Sequence, residues 1–245
     1  MKLIEDGKLI EGRAALSEVL LSPSTNADDA EVIRETLASV NARLVFSKDV
    51  VTNDPFAKLY TVEAGDRLIR IANEYKVPYQ FIEQINGIEA PKLRAGQRIK
   101  IIQGPFHAVI HKHDFRMDLF LTGADGKKVY VRSFTVGLGE QNSTPEGAFV
   151  IKPGGKVQGG GWTNPRTGES FAPGDPKNPI GKYWLALQGA DTRTQAVRGY
   201  GIHGTIQPES IGQQMSMGCI RLNDPDIAQV YSMLFEGKSS VEIMP

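Results

Sequence analysis

The residues best equipped for chemistry lie near the end of the 245-residue chain, in IHGT (202–205) and SMGCIRLND (216–224). Cys219 is the only cysteine. The thiolate, not the thiol, is the nucleophile, and an unperturbed thiol titrates at about 8.5, so near neutral pH it needs a base or a cation beside it. His203 is a candidate base and Arg221 a permanent positive charge. YGIH reads as a strand ending at His203, and a second strand begins at or near Cys219. Period-2 alternation puts Cys219 and Arg221 on one face, and Ile220 and Leu222 on the opposite, core-facing one. Ser216-Met217-Gly218 sits just before the cysteine, and a glycine-containing turn there can aim consecutive backbone N–H groups at one point. Such an oxyanion hole typically supplies about 3–4 kcal/mol per donor. Nucleophile, base and oxyanion donors together point to acyl transfer. Taken singly, each residue also has a plainer reading: a small buried cysteine, a hydrogen-bonded structural histidine, an arginine paired with a carboxylate, a turn glycine. Pattern alone does not place the two strands side by side.

The segment that must position these groups, residues 105–245, is strand-rich. FRMDLFL alternates with Phe115, Met117, Leu119 and Leu121 on one face, and KVYVRSFTV and KYWLALQ also read as strands. A run dense in Gly, Pro, Asn and Asp between Pro153 and Gly181 reads as a long flap beside an active site. One late helix is expected in DPDIAQVYSMLFEG, with Asp224 as N-cap, Pro225 at N1, Gly237 at the C-terminal cap, and Ile227, Val230, Tyr231 and Leu234 on its apolar face. Trp162, Tyr183, Trp184 and Tyr200 are candidates to line a peptide cleft; isolated aromatics of this kind are more often core residues. His107, His111 and His113 lack a carboxylate or thiol partner, so no metal is expected, and no cofactor.

Upstream, residues 2–45 carry apolar residues at helical spacing, broken at LSPSTNADDA, which predicts a helical hairpin with Asn26 or Asp28 capping its second helix. It weakly resembles one tetratricopeptide-like pair and reads as packing support. Residues 49–58 read as a linker. Residues 60–102 have the order strand, helix, helix, strand, with Asp66 able to cap the first helix and Asn86-Gly87 ending the second. Lys+Arg and Asp+Glu are 28 each, a net charge of zero that argues against nucleic acid as a partner. No run has the length of a membrane span. The start, MKLIEDGKLIEGRAAL, lacks the apolar stretch of an export signal.

Two resemblances follow from these motifs. YTVEAGDRLIRIANEYKV, INGI and LRAGQRIKII resemble a LysM domain (58–103), which implies binding to glycans built on N-acetylglucosamine, with a groove between the loop at Gly65 and Asp66 and the one at Asn86. IHGT…SMGCIRL, VGLGEQNSTPEGAFVI and the Asn-Asp-Pro helix start resemble the YkuD-type L,D-transpeptidase catalytic domain (105–245). The implied fold is a mainly-β catalytic domain, a mixed β-sandwich with one late helix, preceded by a βααβ LysM domain and the helical hairpin (1–50). The implied activity is attack of Cys219 on the third residue of a peptidoglycan stem tetrapeptide, release of D-alanine, and transfer to an amine acceptor. L,D-carboxypeptidase action and non-catalytic wall binding are the alternatives. The resemblance makes His203 the base, oriented by the main-chain carbonyl of Gly204, and gives Ser216, Gly218 and Arg221 supporting places. Many relatives carry histidine where this chain has Met217. Met217, Tyr200 and Trp184 are expected at the substrate, and peptidoglycan peptide and glycan are the expected partners. Both modules imply an extracytoplasmic site of action at the cell wall or periplasm, so an export segment is expected that this chain does not show.

Overall fold

The computed structural model describes residues 1–245. Its helices and strands run α1 (Lys2–Glu5), α2 (Leu9–Leu20), α3 (Ala27–Leu44), β1 (Ala57–Thr61), α4 (Leu68–Tyr75), α5 (Tyr79–Asn86), β2 (Arg98–Ile102), β3 (Phe106–His111), β4 (Arg116–Thr122), β5 (Lys128–Thr135), β6 (Leu138–Gly139), β7 (Gly147–Gln158), β8 (Trp162–Thr163), β9 (Ser170–Phe171), β10 (Tyr183–Gly189), β11 (Gly201–His203), β12 (Gln214–Ser216), β13 (Ile220–Arg221), α6 (Asp224–Met233) and β14 (Ser240–Met244). They divide into two compact units, residues 1–107 with 118–133, and residues 108–117 with 134–245.

In the first unit, α2 and α3 form the expected hairpin. Asn26 caps α3 by accepting from the Asp29 N–H at 2.9 Å. The βααβ order also holds, with β1 and β2 antiparallel. The expected cap of α4 is corrected. Arg67 occupies the N-cap without a side-chain bond, while Asp66 accepts from the Glu63 N–H and the Tyr60 hydroxyl and so stiffens the loop. Polar contacts in three places tie the hairpin to its surroundings. Arg13 and Asp54 form an enclosed pair at 2.7 Å. Lys100 on β2 donates to the carbonyls of Arg43, Leu44 and Ser47, where α3 ends with unpaired acceptors. Ser17 accepts from the Tyr130 N–H and Asn41 donates to the Tyr130 and Val131 carbonyls, so the helices satisfy main-chain groups of β5.

The second unit is mainly β with one long helix. Its strands lie in the order β13-β11-β10-β7-β14-β3. The sheet is mixed: β14–β3 and β11–β13 are parallel, while β10–β11, β10–β7 and β14–β7 are antiparallel. Three sequence readings change here. The region 153–181 is not one long loop, because β7 continues to Gln158 against β10 and β8 pairs with β9 as a small hairpin. β4, which starts in this unit and continues from residue 118 in the first, is buried on both faces, so its polar Asp118 is enclosed as well. The late helix is capped by Asn223, which accepts from the Asp226 N–H at 3.0 Å, and it ends at Met233, short of Gly237. Its inner face carries Ile227, Val230, Tyr231 and Leu234, all buried, and the Tyr231 ring lies 4.9 Å from that of Tyr183 on β10.

Candidate active site

The parallel pairing of β11 with β13 settles what the sequence left open: Ile202 faces Ile220 and His203 faces Arg221 across the ladder. Ile202, Ile220 and Leu222 are fully buried. A one-residue slip would expose this apolar set, so the core fixes the register and with it the face on which Cys219 and Arg221 stand. On the other side of β11, Trp184 is the cross-strand partner of His203, and the two rings stack at 5.6 Å and 18°.

His203 Nδ1 lies 2.6 Å from the Gly204 carbonyl oxygen. A carbonyl only accepts, so Nδ1 carries the proton in the neutral ring and Nε2 has a lone pair to use as a base. Burial pushes the imidazole down from its ordinary 6.5 to about 4, with Arg221 adding to the effect against the opposing carbonyls of Gly204 and Ile180. Burial likewise pushes the Cys219 thiol up, against the Gly201 N–H and Arg221, which favour the thiolate. Both shifts favour the uncharged forms, imidazole and thiol.

The turn before Cys219 is held by Ser216, whose hydroxyl donates to the Cys219 carbonyl at 2.6 Å and accepts from the Gly218 N–H at 3.0 Å. Gly218 has φ +118°, and a Cβ there would run into the Tyr200 ring and stand 3.1 Å from the Ser143 carbonyl oxygen. Behind it, a Cβ on Gly139 would come within 2.6 Å of the Gly218 Cα. Glycine is thus required at 218 by both conformation and space.

Of the residues expected from sequence, Cys219, His203, Ser216, Met217, Arg221, Tyr200 and Trp184 line one cavity of about 330 Å³. Gly204 and Gly218 contribute main-chain atoms beside it. Gly65, Asp66 and Asn86 belong to the other unit. There the Asn86 side chain donates to the Ile82 and Lys100 carbonyls and accepts from the Lys100 N–H, clamping α5 to β2. Sequence reasoning missed the Ile180 carbonyl, the Gly201 N–H, Arg198 and the packing of Gly139 under the turn. Only Gly139 left a trace, in the glycine spacing of VGLGEQNSTPEG.

Residues 105–243 match the family model described as the L,D-transpeptidase catalytic domain. The chain belongs to that family. Residues 60–101 match the LysM domain. The curated relatives include a putative L,D-transpeptidase YkuD of Bacillus licheniformis, 29% identical over 76% of this chain and 99% of that protein. The Bacillus subtilis protein of the same description is 28% identical over 73% and 94%. A solved L,D-transpeptidase from Mycobacterium smegmatis aligns with TM-score 0.40 at 19% identity, over 61% of this chain and 64% of that one. The L,D-transpeptidase and LysM domains together give the chain a peptidoglycan-related function. No helix is long and apolar enough to cross a membrane.

Proposed function

We propose that this L,D-transpeptidase works through a Cys219 acyl-enzyme, with His203 as general base and then general acid. The Cys219 thiol proton passes to His203 Nε2 as Sγ attacks the carbonyl of the third stem residue. The oxyanion forms against the main-chain N–H groups of the turn; because the Gly218 N–H is held by Ser216, the Cys219 N–H is the donor the turn has to offer. The imidazolium returns its proton to the departing amine of D-alanine, leaving a thioester. An acceptor amine, deprotonated by His203, then attacks the thioester; the C–S bond breaks, and Sγ takes the proton back from the imidazolium, which completes the transfer. A neutral resting pair suits general-base activation, since the charge pair then exists only along the reaction path.

The observation that carries this reading is the Nδ1–Gly204 bond of a histidine that shares a cavity with the one cysteine. A main-chain carbonyl takes the orienting place that a carboxylate has in a Ser-His-Asp triad. The LysM segment, through the loops at Gly65, Asp66 and Asn86, supplies glycan binding in the same reading. Both modules support a site of action outside the cytoplasmic membrane, at the wall.

The test is mass spectrometry after incubation with a disaccharide tetrapeptide. A cross-linked dimer supports transfer, a tripeptide alone supports the carboxypeptidase reading, and unchanged substrate overturns both. Cys219→Ala is expected to abolish D-alanine release while keeping sacculus binding. Residual release by that variant refutes the nucleophile assignment.

A further inference from the structure

The turn that carries Cys219 rests on a second loop, residues 139–144. Gly137, just before that loop, exchanges two main-chain hydrogen bonds with Arg221, at 2.9 and 2.8 Å. A Cβ on Gly139 would stand 2.6 Å from the Gly218 Cα, and one on Gly218 would stand 3.1 Å from the Ser143 carbonyl oxygen. The two loops therefore meet main chain to main chain, with no side chain between them to absorb a shift. Within the second loop, Gln141 and Asn142 are both left-handed, at φ +52° and +59°. Nowhere else in the chain do two successive non-glycine residues have such angles. Backbone of this kind persists only where its surroundings over-determine it. Two enclosed side chains do so here. The Gly139 N–H donates to Thr144 Oγ1 at 2.8 Å, which closes the loop across its neck. The Lys112 ammonium donates to the Thr144 carbonyl at 2.9 Å and pairs with Glu146 at 2.8 Å. Thr144 is 1% exposed and Lys112 5%. Lysine is rarely buried unless paired, and this one uses its charge to fix residues 144 and 146. Lys112, Thr144 and Gly139 all lie outside the lining of the catalytic cavity.

We propose that Thr144 is a positioning residue for acylation: fixed by Lys112, its hydroxyl holds residues 139–144 in the shape on which Gly218 packs, and so keeps the Cys219 N–H aimed at the oxyanion. The proposal rests on the functional reading above and names what holds its oxyanion donor in place. Two reactions of the same sulfur separate this role from a general one. Acylation by a peptide develops an oxyanion and needs the aimed N–H. Alkylation by iodoacetamide forms a C–S bond and expels iodide, with no oxyanion to stabilise. Cys219 is the only cysteine, so every alkyl group added to sulfur reports on it.

The experiment measures both rates by intact-mass spectrometry, with a disaccharide tetrapeptide and with iodoacetamide, on the full chain, Thr144→Val, Thr144→Ser and Lys112→Met. Thr144→Val keeps the shape of the side chain but cannot accept from the Gly139 N–H. It is expected to lower the acylation rate at saturating donor by about 10- to 100-fold, with KM and the alkylation rate little changed. Thr144→Ser keeps the acceptor and is expected to recover most of the rate. Lys112→Met acts one contact further away and is expected to slow acylation by less, again without slowing alkylation. Three results overturn the positioning role and leave the functional reading standing: a Thr144→Val that acylates at the wild-type rate, a Thr144→Ser that loses as much as Thr144→Val, or a loss of acylation matched by an equal change in alkylation. Should Thr144→Val not fold, Lys112→Met carries the same comparison, and a wild-type acylation rate in it overturns the proposal. A wild type that forms no acyl-enzyme overturns the functional reading, and this proposal with it.

Discussion

Acid should weaken the catalytic unit through His203, by an amount that follows from its burial. The side chain is 4% exposed, and its folded pKa lies at about 4 against an ordinary 6.5. Below 6.5 the unfolded chain binds a proton that the folded one refuses, so the unfolded state gains. The stability reference is therefore intact above about pH 6.5, falls as the pH drops, and levels off below about 4. At roughly 1.4 kcal/mol per pH unit, His203 alone removes about 2 kcal/mol by pH 5 and about 3 kcal/mol by pH 4. Other groups titrate in that range too, so the measurement is a difference: denaturant unfolding of wild type and His203→Asn at pH 7.5, 6, 5 and 4. Asparagine keeps a donor near the place of Nδ1 and does not titrate, so whatever it costs at pH 7.5 is common to every pH. Both tryptophans of the chain, Trp162 and Trp184, lie in the unit that holds His203, so their fluorescence reports its unfolding. The wild type should lose about 3 kcal/mol more than His203→Asn between pH 7.5 and pH 4. Parallel losses in the two proteins would refute the depressed pKa, and with it the neutral resting pair.

Three further outcomes follow from the geometry. Gly218→Ala meets an unfavourable φ together with the Tyr200 ring, and should cost about 2–4 kcal/mol and slow acyl-enzyme formation by about 100-fold through displacement of Cys219. Gly126→Ala, with φ +79° and open space, should cost only about 1–2 kcal/mol and leave that rate unchanged, as thermal unfolding and intact-mass kinetics would show. Asp54→Asn leaves the Arg13 guanidinium enclosed without its partner, and should destabilise the first unit by about 3–5 kcal/mol in chemical denaturation followed by far-ultraviolet circular dichroism.

What could be read from the sequence was carried by side chains, and most of what was missed around Cys219 and His203 was carried by main chain. Cys219, His203 and Arg221 announce themselves by type, and period-2 alternation correctly put Arg221 beside the thiol and Ile220 and Leu222 in the core. Alternation assigns faces, not neighbours, so the β11–β13 pairing across 204–218 was beyond it. Near-equivalent local choices were also missed. Asn223 and Asp224 both suit a helix start before Pro225, and the reciprocal bonds between Asn223 and Asp226 select the first. Glycine and proline density suggested a flap throughout 153–181, yet the ladder with β10 carries β7 through that composition as far as Gln158. The environment of Cys219 and His203 shows the limit most clearly. The Gly204 and Ile180 carbonyls bear on the imidazole, and the Gly201 N–H bears on the thiol. Every residue has a carbonyl and nearly every one an N–H, so no residue type marks the few that matter. The glycines among them mark only where the chain is allowed close. A site whose proposed nucleophile and base stand among backbone dipoles is therefore legible in those two side chains and not in the dipoles around them, and the pKa of His203 is the quantity in which that hidden part becomes measurable.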